Sequence, residues 1–247
     1  MEINLSVPCG WQHLNYKQLL FVFTLLAHGA SESELKLKCL LKFSGTHVLG
    51  ECEDGVYRLK HGKRKFNVTP LQMAEALSCL DFLTELPATP VRLPFVKARL
   101  RKRYALAADF NGVPFEKFII CDNLYNGYLH TKNSELLAQM TEVLYCSRIR
   151  HVAEPVRISV FYWFAALKQL LTRNFSNLFG EQQEDGNMLG NASLAKQLAD
   201  AMNAQIRALT KGDVTKEKEV LALDTWRALT ELDAQVKEYN ELKLKYK

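Results

Sequence analysis

Leu19, Leu20, Phe23 and Leu26 recur at helical spacing behind Asn15, and the run stops at Gly29. Asn15 is a capping residue and glycine a common helix terminator, so this stretch predicts a first helix. Ser31 and Glu34 then have the form of a capping box, opening a second helix to about Phe43. Before both, Glu2 to Val7 alternates polar and apolar ahead of Pro8, a short strand signal. Residues 46–68 change period. Thr46–Cys52 and Val56–Lys60 flank Glu53-Asp54-Gly55, an Asp-Gly turn between β-rich runs, and Gly62 allows a third strand over Lys65–Val68. Thr69-Pro70 opens another helix, with threonine as cap and proline where its missing N–H costs nothing.

Pro87, Pro90 and Pro94 prevent long regular structure over about 86–95. The chain is expected to re-form near 104–113, with Asn111-Gly112 as a turn. Helices follow from Pro114 to Leu129 and from Ser134 to Tyr145. Glu154-Pro155 opens the most apolar helix, with Val156, Val160, Trp163, Phe164, Leu167 and Leu171 three or four residues apart. Gly180 to Asn191 is a polar break rich in Gly, Asn and Gln. Beyond it, Leu194, Leu198, Ala201, Met202, Gln205 and Leu209 mark one helix. Val214 to Lys247 reads as a second, divided from the first at Lys211-Gly212-Asp213.

The pattern predicts an α+β fold, mostly α-helical: a helical body over 1–179, a small antiparallel sheet at about 46–68 and 104–113, a flexible linker over 180–191, and a C-terminal helical hairpin over 192–247. In the last helix Leu221, Thr225, Ala228, Leu232, Gln235, Tyr239, Leu242 and Tyr246 alternate steps of four and three, and Leu229 and Val236 widen the stripe. Thr and Gln at seam positions argue against a zipper. Packing onto the helix at 192–210 satisfies both stripes.

Composition changes this picture little. Apolar residues are 48% and charged ones 24%, which excludes a disordered chain. No basic region precedes an apolar stretch at the N-terminus, and Leu19–Ala27 is roughly half a bilayer span, so a cytoplasmic protein without a membrane partner is expected. The six cysteines contain no CxxC pair. Cys39, Cys79, Cys121 and Cys146 lie in apolar helical patterns and read as buried free thiols. No GxSxG, HExxH, GxxxxGK[ST] or GxGxxG occurs, and no two histidines are three or four apart. No catalytic residue, metal ligand or cofactor is therefore expected, and the chain reads as a non-enzyme.

Charge is more informative. Ten of the 32 basic residues fall in two short runs: Arg58, Lys60, Lys63, Arg64 and Lys65, and Lys97, Arg99, Arg101, Lys102 and Arg103. Tyr57, Phe66 and Tyr104 stand beside them. Such runs can neutralise phosphates, making nucleic acid an alternative partner. They can also be solvated hairpin tips whose lysines discourage edge pairing. The first two helices are not a helix-turn-helix reader, because Glu32-Ser33-Glu34 at the start of the second would repel phosphates.

Phe161-Tyr162-Trp163-Phe164 points aromatic rings around most of a helix. They cannot all face one core, so some meet another element, a partner or solvent. With Trp226, Leu229, Leu232, Val236 and Tyr239 of the last helix, Phe161, Tyr162 and Trp163 are the candidate protein-binding residues.

The string Ala208–Asp213 followed by Val220–Leu232, together with Asn123–Leu129 and Phe161–Trp163, resembles proteins encoded in phages and prophages of Bacteroides-type bacteria. That resemblance implies a non-enzymatic role in tail assembly, as a chaperone or a structural component, through helix-mediated binding of other phage morphogenesis proteins. It implies work in the host cytoplasm or residence in the virion, and brings no site residues. The oligomeric state is open.

Overall fold

The computed structural model describes residues 6–52, 55–98, 101–180 and 191–245, with the backbone alone for 98 and 191–199. The fold is α+β and mostly helical. It divides into two compact units, residues 1–87 with 153–159, and residues 88–152 with 160–247.

In the first unit, a 3-10 turn, Trp11–His13, precedes α1 (Tyr16–Ala27) and α2 (Glu32–Ser44). Asn15 caps α1 by accepting from the Lys17 and Gln18 N–H groups, while the Asn15 N–H donates to Gln18. At α2 only half of the expected box forms. Ser31 accepts from the Glu34 N–H at 3.3 Å, but the Glu34 carboxylate turns down the helix to Lys38, which holds its pKa below the usual carboxylate value. Gly45 ends α2 in the left-handed region, φ 66°, and feeds β1 (Thr46–Glu51). With β2 (Tyr57–His61) and β3 (Arg64–Val68) it forms an antiparallel sheet in the order β1-β2-β3. A bulge lies between Val48 and Gly50. Thr69 caps α3 (Pro70–Ser78) as predicted, and Gln72 completes a capping box with it. The core holds Val22, Phe23, Leu35, Cys39, Leu59, Leu80 and Leu83. Trp11 stacks on Phe23 and its indole N–H donates to the Glu85 carbonyl.

The second unit contains a hairpin of β4 (Val96–Ala98) and β5 (Arg101–Arg103), then α4 (Phe115–Thr131) and α5 (Ser134–Leu144). The strands lie there and not at 104–113, where the chain runs through turns closed by Phe110 at φ 61°. α6 (Glu154–Asn174) gives this unit its residues from Val160 on. Its predicted stripe is buried in full, and Phe164, Phe118, Phe110 and Trp163 pack ring against ring. Asp122 on α4 pairs with Lys168 on α6 at 2.7 Å.

α7 (Ser176–Phe179), α8 (Asn191–Thr210), α9 (Glu217–Ala222) and α10 (Thr225–Lys245) complete the unit. The expected linker over 180–191 lies almost wholly outside the described residues. Of the expected α8 stripe, Leu194 and Leu198 lie outside the described side chains, Ala201 is exposed, and the most covered row is Met202, Ile206 and Thr210. Lys211 and Gly212 turn at positive φ as predicted. The stretch from Val214 is not one helix. A 3-10 turn, Val214–Lys216, and α9 precede a break at Leu223-Asp224. There the Leu223 carbonyl accepts from the Phe115 N–H at 2.8 Å, and Pro114 bridges to Asp224.

Cys79 and Cys146, expected in the core, are exposed; each stands just past a helix end, beyond the reach of the apolar stripe. Cys39 and Cys121 are buried, and all six thiols are free. Among the described residues no helix is long and apolar enough to cross a membrane.

Candidate functional site

α10 is anchored at its start and free at its end. The Thr225 N–H and hydroxyl both donate to the Val113 carbonyl, at 2.9 and 2.7 Å. Asp224 caps the helix through the Arg227 N–H and accepts from the Gly112 N–H with its other oxygen. Trp226 donates to the Asp109 carbonyl at 2.7 Å and packs its ring on Phe175. The body of the helix lies against α4, α7 and α8. Asp233 accepts from the Leu178 N–H and the Asn177 side chain at the start of α7.

These contacts divide the candidate protein-binding residues. Leu229 and Leu232 are core, fully and almost fully buried, so no partner reaches them. Trp226 and Val236 are half-buried. Beyond Val236 every described residue of α10 is exposed, and the apolar stripe runs on without a change of period through Tyr239, 64% exposed, and Leu242, 52% exposed, while Leu244 lies off the stripe. The flanks carry both signs, in Lys237, Glu238, Glu241, Lys243 and Lys245.

The aromatic run on α6 is not a free surface. Trp163 is buried and donates to the Ala108 carbonyl at 2.8 Å. Phe161 is half-buried, stacked on Tyr125 and edge-on to Tyr128 of α4. Tyr162 is half-buried, and burial pushes its phenol up from the ordinary value. Phe161, Trp163 and Phe164 are thus shared between α4 and the turn at 108–110, a second layer that periodicity along α6 alone does not reveal.

The first basic run lies on the three-stranded sheet. Lys60 on β2 is directly opposite Lys65 on β3 and His47 on β1, and Arg58 is opposite Asn67 and Gly50. Opposed residues share a face, as do residues two apart on a strand. Arg58, Lys60, Lys65 and His47 therefore stand on one face, all exposed. Tyr57, Leu59, His61, Arg64 and Phe66 belong to the other face, where Leu59 is buried. Lys63 is exposed in the β2–β3 turn. None of the five basic residues of this run is ion-paired among the described residues.

The second run lies on the β4–β5 hairpin. Lys97 is directly opposite Lys102, and Val96 and Ala98 are opposite Arg103 and Arg101. Lys102 also sits 4.7 Å over the Phe95 ring, and Tyr104 is exposed beside it. Arg99 lies outside the described residues.

Among the described residues no group of three or more His, Cys, Asp or Glu side chains is placed to hold a metal ion. No family model, no curated protein and no solved structure matches the chain.

Proposed function

We propose that the chain is a protein-interaction factor that takes a helical segment of another protein onto the distal stripe of α10. One observation carries this reading: the stripe that is core at Leu229 and Leu232 continues, in the same period, into the exposed Tyr239 and Leu242. A helix exposed all round is marginal on its own, so a covering surface would stabilise it. The covered half of the same stripe packs against helices, which makes a helix the fitting occupant. Charges of both signs on the flanks suit a partner helix of mixed charge.

Within the C-terminal hairpin expected over 192–247 this surface is confined to the distal part of α10, because the first half of α10 belongs to the core. The resemblance of the 208–213 and 220–232 strings to phage and prophage proteins supports a tail-morphogenesis protein as the partner, with this chain as assembly chaperone or structural component.

The test is co-expression of the full chain with the products of its neighbouring genes, beside a Tyr239→Asp/Leu242→Asp variant. A stoichiometric complex that forms with the wild type and is lost with the variant is expected. A complex that survives the variant sinks the reading. A wild-type dimer that the variant disperses would make a second copy the occupant instead.

A further inference from the structure

The basic face of the β1-β2-β3 sheet is organised at a cost. Like charges directly opposed on neighbouring strands destabilise a sheet, and Lys60 faces Lys65 with no intervening acid. Protection of a sheet edge explains lysines on β3, which is an edge strand. It does not explain Arg58 and Lys60, because β2 is the central strand and has no edge to protect. The same opposition recurs in the other unit, where Lys97 faces Lys102 on β4–β5. Two separate hairpins thus carry one unfavourable arrangement that an added polyanion would relieve.

We propose that this exposed sheet face binds the phosphate backbone of duplex nucleic acid without reading base sequence. This inference does not rest on the α10 reading. The donors are Arg58, Lys60 and Lys65 on stiff strands, with Lys63 in the turn. Neighbouring strands hold them about 4.8 Å apart, and residues two apart on one strand are roughly 7 Å apart. The face offers charge and little else. Its other members are His47, Gly50 and Asn67, and the aromatic Tyr57 and Phe66 belong to the opposite side. With no ring but the His47 imidazole on which a base can stack, a single strand gains little of the contact that usually holds it. None of the residues that the strand register places on the face is apolar, so there an acidic peptide gains only its charges. A regular, densely charged backbone fits best, and contacts confined to phosphates position without specifying.

The experiment measures binding of the full chain to a mixed-sequence DNA duplex of about 30 base pairs, a matching RNA duplex, oligothymidylate and polyglutamate, at about 50 and 200 mM salt. Four phosphate contacts predict a slope of log affinity against log salt of about −3.6, an affinity loss of roughly 150-fold over that range. Lys60→Glu/Lys65→Glu should bring the slope to about −2 and weaken duplex binding at low salt by about tenfold or more. Lys63→Glu, in an exposed turn, gives a second variant whose folding is not at risk. The DNA and RNA arms distinguish which duplex is preferred. No duplex binding at low salt, binding indifferent to these variants, or equal binding of oligothymidylate overturns the proposal. Preference for polyglutamate also overturns it, in favour of an acidic protein surface.

Discussion

Thr225 gives both of its donors to a single acceptor, the Val113 carbonyl, with the N–H at 2.9 Å and the hydroxyl at 2.7 Å. Together with the Phe115 N–H on Leu223 and the Gly112 N–H on Asp224, this zips the turn ahead of α4 to the break ahead of α10. Thr225 is fully buried, so Thr225→Val removes a hydroxyl bond without changing volume and should cost about 1 kcal/mol. Asp224→Ala removes a cap and the Gly112 bond together and should cost about 1–2 kcal/mol, while Asp224→Asn, whose single side-chain oxygen can accept only one of the two N–H groups, should fall in between. Denaturant unfolding of the three variants checks the order. Equal stability of Asp224→Ala and wild type would show that the break in the terminal helix is not held by this carboxylate.

Thiol reactivity separates the cysteines by burial. Burial pushes the Cys39 thiol up to about 12 and raises Cys121 still more strongly, so neither forms appreciable thiolate, the reactive species, at neutral pH. Cys9, Cys52, Cys79 and Cys146 are exposed. A thiol-reactive chromophore should therefore titrate four groups in the native protein and the remaining two only after denaturation. Rapid native labelling of Cys121 would contradict the packing of α4.

Much of the fold is legible along the chain where the determinants are local. Asn15, Thr69-Pro70 and the Trp163–Phe164–Leu167 stripe announce α1, α3 and α6, because caps and periodicity act within one or two turns. The break at Leu223-Asp224 is not legible, since its cause is a bridge to Pro114, distant in sequence. Nor are β4 and β5. β5, Arg101-Lys102-Arg103, has no apolar position by which a strand is recognised, and β4 is only three residues long. The candidate surface on α10 fails differently. Its stripe keeps one period through Leu232 and Leu242 alike, so sequence marks both as apolar and cannot say which one the body covers.

The opposed lysines predict an unusual gain from charge reversal. Lys65→Glu turns the Lys60 contact from repulsive to attractive and should raise stability by about 0.2–1 kcal/mol at low ionic strength. Both side chains are exposed, so the gain should fade as salt screens it. Thermal unfolding at low and high salt tests this. A loss of stability at low salt would mean the two ammonium groups do not share a face.

Asp213 supplies a pH-dependent clamp on the turn after α8. Its carboxylate accepts from the Thr215 hydroxyl and N–H, at 2.6 and 3.0 Å, and these bonds hold its pKa below the ordinary aspartate value. A lowered native pKa means that the unfolded state binds the proton more readily. The contribution is therefore complete at neutral pH and lost as pH falls below the ordinary aspartate range, through the native value. Amide exchange at Thr215 should accelerate on acidification in the wild type and be fast and flat with pH in Asp213→Ala, after correction for intrinsic exchange.

The two halves of α10 should respond oppositely to the same change. Leu229→Ala empties a fully buried site and should cost about 2–5 kcal/mol, depending on how far α4, α7 and α8 collapse around it. Leu242→Ala removes an exposed side chain and should change stability by no more than about 0.5 kcal/mol. Truncation after Gln235 keeps Asp233 and its bonds to α7, so the shortened chain should unfold cooperatively near the wild-type midpoint. It lacks Tyr239 and Leu242, so partner binding through the distal stripe should disappear with it. A truncation that unfolds the second unit would show that residues beyond Gln235 complete its core. Retained partner binding in a folded truncation would place the binding surface elsewhere on the chain.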